Sequence, residues 1–257
     1  TADADFTWEE FLRRTNNELV AGWGNLVNRA ATMIFKKFGE IPEPGELEPI
    51  DQVLLDELQA GFRETADLIR ANHQKAAIAA IMRLVGQANR YVADTQPFKM
   101  KAPQDSAPGG RLRTVLWVLA QAVSDLNLML APFLPHGANA VDKVMGGSGQ
   151  IAPMPRLEWV EETVLTGEIG AAEGTAVVAG ATEVDVAVDA GTGAETESEA
   201  GVDPVTRKYP VITGDYRDVP AWRRHPVVPG TIIEKPSPIF QKLDVSIVEE
   251  ELARYSG

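Results

Sequence analysis

The sequence contains no cysteine, so it has neither disulfide bonds nor cysteine-based zinc sites. It has only three histidines, and none has a second histidine four residues further on, which argues against a metal site. No run of about 18 apolar residues occurs, so no segment is predicted to span a membrane. The chain opens with neither an initiator methionine nor a basic, apolar leader. We therefore expect a cytoplasmic protein that is part of a longer one.

The common active-site motifs are also missing. The sequence has no GxGxxG or Walker-type loop, no GxSxG and no HExxH. His136 has no nucleophile or carboxylate at a recognisable spacing, so we assign it no catalytic role. A self-contained enzyme is disfavoured, and we predict no catalytic residue and no metal ligand in this chain.

Residues 166–205 contain nine acidic residues and no basic one, and this segment accounts for most of the net charge of −13. Without the acids of this segment, 28 acidic residues face 24 basic ones, so the balance does not exclude an RNA partner. Residues 165–206 also contain no aromatic residue and are predicted to form a flexible acidic linker. The acids between Thr166 and Val205 are Glu168, Glu173, Glu183, Asp185, Asp189, Glu195, Glu197, Glu199 and Asp203.

Apolar residues recur at three- and four-residue steps over most of the first 160 residues, which is typical of amphipathic helices. A Thr7–Glu10 capping box is expected to begin the first helix. No alternation of useful length predicts a strand before residue 160. The short connections favour an all-α, antiparallel helix bundle over residues 1–160. The predicted helices cover residues 6–38, 49–71, 74–92, 111–131 and 137–144.

Residues 209–257 follow the acidic linker and are rich in proline and aromatics before a final apolar helix, which Asp244 is expected to cap. We predict an extended segment ending in this helix. A structured tail beyond a flexible linker usually docks, either on the bundle itself or on a domain outside this chain.

The first helix has two distinct faces. Its polar face has planar amides and a guanidinium instead of the usual Glu and Lys, and such groups hydrogen-bond to bases and carboxylates. This face either contacts unpaired bases or, alternatively, satisfies neighbouring loops and acids. The apolar stripe is Trp23, Leu26, Val27, Ala30 and Ile34. The polar stripe is Asn25, Asn28, Arg29 and Thr32.

A second candidate site follows the third helix, where Asn89–Val92 is followed by Gln96–Lys99. Pro97 fixes a turn in which Phe98 is either exposed as a stacking platform for bases or buried as a plug of the bundle end. Lys99 and Lys101 are suited to phosphate contacts. The apolar segment Leu130–Pro135 is interpreted as packing.

Taken in order, these segments resemble the C-terminal part of bacterial methionyl-tRNA synthetases. The resemblance rests on NNEL…GNLVNR…KKF, then ANRYV…QPFK, then PFLPHGA, and finally TIIEKPSPIFQKLD. It covers about residues 6–160 and 209–255. Each motif is moderately specific, whereas the ordered set is strongly so.

This resemblance implies a helical anticodon-binding domain that recognises the CAU anticodon stem-loop of tRNA(Met). In that family, Asn25 and Arg29 would face the anticodon and Phe98, where the family usually has Trp, would stack on an anticodon base. Asn28, Lys99 and Lys101 are further candidate RNA contacts.

The resemblance also implies that ATP and Mg²⁺ act in an N-terminal catalytic domain, which would be the partner of this region. The HIGH-like and KMSKS motifs of that domain are absent from this sequence. The family is a methionine–tRNA ligase, and we expect this chain alone to be inactive in charging tRNA.

Two other functions remain open from the sequence. The acidic balance and the long linker also suit a helical protein–protein docking domain. The bundle also suits the anticodon domain of another class I synthetase, for Val, Ile, Leu or Cys, although GNLVNR and PFLPHGA fit the methionine enzyme better.

Overall fold

The computed structural model describes residues 6–152, 154–165, 204–213 and 220–255. The chain divides into two compact units, one made of Thr1–Met154 with Asp215–Gly257 and the other of Pro155–Gly214. The first is helical, which confirms the predicted all-α bundle. Its α-helices are α1 (Trp8–Arg14), α2 (Asn25–Lys37), α3 (Pro49–Arg70), α4 (Gln74–Thr95), α5 (Pro103–Ser106), α6 (Arg111–Leu130), α7 (Pro135–Val144) and α8 (Ser246–Tyr255).

The predicted first helix is continuous and consists of three helical sections. A π-helix, Thr15–Gly24, joins α1 to α2. At the start of α1 the Glu10 amide donates to the Thr7 hydroxyl at 3.2 Å, as the capping prediction required. The reciprocal bond of the predicted capping box, from the Thr7 backbone amide to the Glu10 carboxylate, is wrong. The Glu10 carboxylate instead pairs with Arg13 and Arg14. The hydrogen bond from Arg13, followed by that from Arg14, lowers the pKa of Glu10 to about 2.

Helices α2, α3, α4 and α6 pack around one core. α6 is buried almost all round, since it lies between its neighbours and the C-terminal tail. The largest fully buried side chains are Trp23, Leu26, Ile34, Leu58, Ile81, Leu84, Leu112, Leu116, Leu119, Gln121, Leu126 and Met129.

Contacts at one end of the bundle fix the helix directions. The Arg113 guanidinium lies 4.7 Å from the centre of the Phe38 ring, so the start of α6 meets the end of α2. At the same end, Asp51 of α3 is fully buried and accepts hydrogen bonds from Tyr91 of α4 and Arg111 of α6. Therefore α2 and α4 run in one direction, and α3 and α6 run in the other.

This Asp51 cluster is a charged core element. Burial by itself would raise the pKa of Asp51, but the hydrogen bonds from Arg111 and Tyr91 outweigh burial and lower it. Burial and the hydrogen bond to Asp51 raise the pKa of Tyr91, which stays a neutral donor. Arg111 also lies 3.2 Å from Glu48, so the three helices meet in a satisfied network.

The tail docks on the bundle, one of the two surfaces that the sequence left open. The Trp222 indole donates to the Phe62 carbonyl at 2.8 Å, and its ring meets the Phe62 ring edge-on. Arg224 pairs with buried Asp125 at 2.7 Å. Burial raises the pKa of Asp125, although the hydrogen bond from Arg224 opposes the rise.

Further along, the tail joins the loop after α2, where the Ile41 amide donates to the Thr231 carbonyl at 2.9 Å. Its last helix, α8, starts as predicted, with Asp244 accepting from the Ser246 amide at 2.9 Å. Val248 of α8 is buried.

The second unit contains a two-stranded antiparallel sheet, which the sequence did not predict. Strand β1 (Arg156–Leu165) pairs with β2 (Pro204–Thr213), from Arg156 opposite Thr213 to Leu165 opposite Pro204. The strands occupy the end of the predicted helical domain, both ends of the predicted linker and the first residues of the predicted C-terminal segment 209–257. The rest of that linker, residues 166–203, lies outside the described residues. No helix in the described ranges is both long enough and apolar enough to cross a bilayer.

Candidate nucleic-acid interface

The polar face of α2 is exposed, while its apolar stripe forms part of the core. Asn25 opens α2 and Arg29 follows one turn later, so both side chains lie on one face about 6 Å apart along the axis. Both residues are exposed, and Asn28 is half-buried beside them. Among the described residues, neither the Asn25 amide nor the Arg29 guanidinium has a hydrogen-bond or ion-pair partner. The structural alternative, in which they satisfy neighbouring groups, therefore does not explain these two side chains.

Phe98 stands out from the end of α4. Gln96 ends this helix in a left-handed conformation, with φ of 48°, and Pro97–Lys99 form a 3₁₀ turn. Pro97 is buried, whereas half of Phe98, 50%, is exposed. Pro97 thus closes the bundle end and leaves the Phe98 ring accessible. Lys99 and Lys101 beside it are exposed.

One contact relates the two parts of the candidate site. The Asn89 side chain of α4 donates to the Gly22 carbonyl at 3.2 Å, so these residues mark a common level in the bundle. Arg29 lies seven residues beyond Gly22, about 10 Å at 1.5 Å per residue. Thr95, the last residue of α4, lies six residues beyond Asn89, about 9 Å, with Phe98 in the turn that follows. Asn25 and Arg29 thus lie in the first half of α2, whereas Phe98 lies in the turn after the C-terminal end of α4.

The charge of this face differs from that of the whole chain. α2 and residues 96–101 together contain five basic residues and no acidic one. One of them, Lys36, was missed in the sequence. It follows Arg29 by seven residues, which returns it to the same face of α2, and it is exposed. The seven-residue spacing would have been sufficient to find it.

Within the motif Asn89–Val92, Asn89 and Tyr91 contribute support rather than contact surface. Asn89 donates to two backbone carbonyls, those of Gly22 and Val85. Tyr91 is buried and bonds to Asp51. Both side chains therefore hold α4 against its neighbours. In the parts of the chain that the structure describes, no three His, Asp or Glu side chains are grouped so that they could hold a metal ion.

Comparisons with known proteins point to one family. A family model described as tRNA synthetases class I (M) matches residues 1–31. The chain is 50% identical to a methionine–tRNA ligase of Nocardioides over 252 residues, which is 98% of this chain and 35% of that protein. It is 44% identical to a methionine–tRNA ligase of Beutenbergia cavernae over 99% of this chain and 35% of that protein. The chain therefore spans about a third of the length of these relatives.

Solved structures agree. The apo form of methionyl-tRNA synthetase from Mycobacterium tuberculosis matches with a TM-score of 0.62 and 20% identity, over 95% of this chain and 36% of that one. This likeness shows a shared fold. The same species' enzyme in complex with methionyl-adenylate matches with a TM-score of 0.53 and 28% identity, over 56% of this chain and 28% of that one.

Proposed function

We propose that this chain, which is homologous to the C-terminal part of methionyl-tRNA synthetases, recognises the CAU anticodon of methionine tRNAs. The observation that supports this most is that the side chains predicted to contact bases are exposed in the structure. Asn25 and Arg29 are exposed side chains without partners among the described residues, and Phe98 is an exposed ring in the turn after α4.

Each side chain supplies a distinct kind of contact with RNA. An amide donates and accepts hydrogen bonds at once, so Asn25 suits the edge of an unpaired base. Arg29 has a planar fork of donors that bonds to base edges or phosphates. Phe98 supplies a stacking face, worth roughly 1–3 kcal/mol per base. The lysines on the same elements complement the phosphate backbone.

The relatives support a proposal for the wider activity. We propose that the chain serves a methionine–tRNA ligase, which joins methionine to tRNA using ATP, and that a catalytic part of the kind found in the relatives carries out methionine activation. The described residues include no metal-binding group, and the sequence has no nucleotide-binding motif. We therefore assign no step of adenylation to this chain.

The test is the effect of Arg29→Ala on binding of two RNAs. One is a stem-loop with a CAU anticodon, and the other differs only in its anticodon bases. Loss of a good base-edge contact costs about 1–3 kcal/mol, so affinity for the CAU stem-loop should fall roughly tenfold or more. Affinity for the changed stem-loop should fall much less. Fluorescence anisotropy at constant salt measures both.

Arg63→Ala is the matched control, because Arg63 is an exposed arginine on α3. This substitution should reduce the affinity for both RNAs only slightly and to the same extent. If Arg29→Ala reduced the affinity for both RNAs to the same extent, Arg29 would be a phosphate contact without a role in anticodon recognition.

A further inference from the structure

Three sequence motifs that are far apart in the chain meet at one aromatic ring. Phe240, from PIFQKLD in the tail, lies between Gly24 of GNLVNR and Gly137 of PFLPHGA. A Cβ placed on Gly24 would lie 3.2 Å from the ring atom Cδ2 of Phe240. A Cβ placed on Gly137 would lie 2.7 Å from Cζ of the same ring. The two glycines therefore leave the space that the ring occupies.

These glycines need a reason, since both lie within helices. Glycine is a poorer helix former than alanine, and neither position has the positive φ that would require glycine. Close approach of the Phe240 ring supplies that reason. Gly24 is also the last residue of the π-helix, directly before Asn25. The ring thus packs against the backbone at Gly24, directly before the polar face of α2 begins.

A second contact ties the tail to the other end of the π-helix. The Asn16 side chain donates to the Leu243 carbonyl at 2.9 Å and accepts from the Leu243 amide at 2.9 Å. Asn16 is the second residue of the π-helix and is half-buried. Phe240 and Leu243 therefore hold the two ends of one helical section, while Asn89 of α4 holds its Gly22 carbonyl.

The π-helix determines which way the polar face of α2 points. A π-helix closes its hydrogen bonds over one more residue than an α-helix, so each turn takes up more residues. Here the backbone N–H of Asn25 donates to the Val20 carbonyl, a bond of this kind at the junction with α2. If Thr15–Gly24 changed to α-helical bonding, α2 would rotate about its axis. Asn25 and Arg29 would then point in a different direction.

We infer that the C-terminal tail is a positioning element for RNA recognition and that Phe240 is its positioning residue. This inference rests on the proposed function, since it assigns the tail a role in aiming Asn25 and Arg29. Phe240 itself touches no RNA. It holds the junction between the π-helix and α2, and Asn16 with Leu243 holds the opposite end.

The test compares three variants of the full chain. Phe240→Ala empties the space between the two glycines, Phe240→Leu fills most of it, and Ile239→Ala trims the neighbouring residue, which also packs on the core. Phe240→Ala should lower the preference for a CAU stem-loop over a changed stem-loop by about tenfold, because misplaced contacts lose affinity steeply. Phe240→Leu should restore most of that preference. Ile239→Ala should lower thermal stability and leave the preference unchanged.

A second readout needs no RNA. The backbone amide signals of Asn25 and Arg29 in the NMR spectrum of the free protein should shift in Phe240→Ala and return toward wild type in Phe240→Leu. Should Phe240→Ala not fold, Phe240→Leu still reports through a small shift and a small loss of preference.

Unchanged preference and unchanged α2 signals in the folded Phe240 variants would overturn the inference. If the wild-type chain showed no preference for CAU, the proposed function would fail. The amide signals would then still decide whether the tail holds α2 in place.

Discussion

At the scale of single residues, exposure without a partner separates Asn25 and Arg29 from the polar residues that maintain the fold. Asn89 and Asn16 also have amide side chains, but both are committed to backbone groups. Asn25 and Arg29 have no such partner among the described residues. A side chain that the fold leaves free is available to a ligand.

Phe98 gives a direct prediction at this scale. Phe98→Ala should leave stability nearly unchanged, because half of the ring is exposed. It should weaken binding of the CAU stem-loop by the roughly 1–3 kcal/mol expected of one stacked base. Phe98→Trp should bind at least as tightly as wild type, since indole offers a larger stacking face.

RNA titrations with thermal melts of each protein measure both effects. Unchanged RNA affinity in Phe98→Ala would remove the ring from the site, and a large loss of stability would show that Phe98 is a bundle plug.

The sequence could identify these residues only in part. The 3.6-residue period separated the two faces of α2, and Pro97 indicated a turn but left open whether Phe98 is exposed or buried. The sequence could not show that Asn89 and Tyr91 support the fold, because their hydrogen-bond partners, Gly22 and Asp51, lie 67 and 40 residues away in the chain.

At the scale of elements, helix ends were predictable wherever a local signal marks them. Pro49 begins α3 and Arg111 follows Gly110 at the start of α6, as the sequence suggested. The π-helix was not predictable, because apolar periodicity does not report which carbonyl each amide bonds to. The sheet was missed because its strands pair residues as far apart as Arg156 and Thr213.

The Asp51 network gives a prediction for the bundle. Asp51→Asn removes one partner from a buried ion pair and should lower the free energy of unfolding by about 3 kcal/mol at neutral pH. Asp67→Asn, which breaks an exposed pair with Arg70, should cost less than about 1 kcal/mol. Chemical denaturation measures both.

The pH dependence of the same comparison follows from the lowered pKa of Asp51. A carboxyl group with a lowered folded-state pKa contributes fully above its unfolded pKa, near 3.9, and loses that contribution as pH falls through the folded value. The stability gap between wild type and Asp51→Asn should therefore stay constant from about pH 7 to 5 and shrink below about pH 4. A gap that widened on acidification would contradict the assigned network.

At the scale of the whole molecule, the charge is segregated along the sequence. The net charge is −13, yet α2 and residues 96–101 have no acidic residue. Nine acids instead lie between residues 166 and 205 of the sequence. Local potential rather than net charge guides a charged ligand to a surface, so an acidic protein can still attract RNA to this face.

Salt dependence tests this view against a docking domain without RNA selectivity. Arg29, Lys36, Lys99 and Lys101 are exposed basic residues on the elements of the proposed site. If all four neutralise phosphates of a single-stranded loop, log affinity should fall with log salt with a slope of about −3. RNA binding that is absent, or that does not respond to ionic strength, would favour protein docking.

The most direct measurement is the affinity of the unmodified chain for two stem-loops of identical stem and loop length, one with the anticodon CAU and one with all three anticodon bases changed. At the same salt concentration the CAU stem-loop should bind at least about tenfold more tightly, which is a difference of about 1.4 kcal/mol. Equal affinity for the two RNAs would contradict anticodon recognition by this chain.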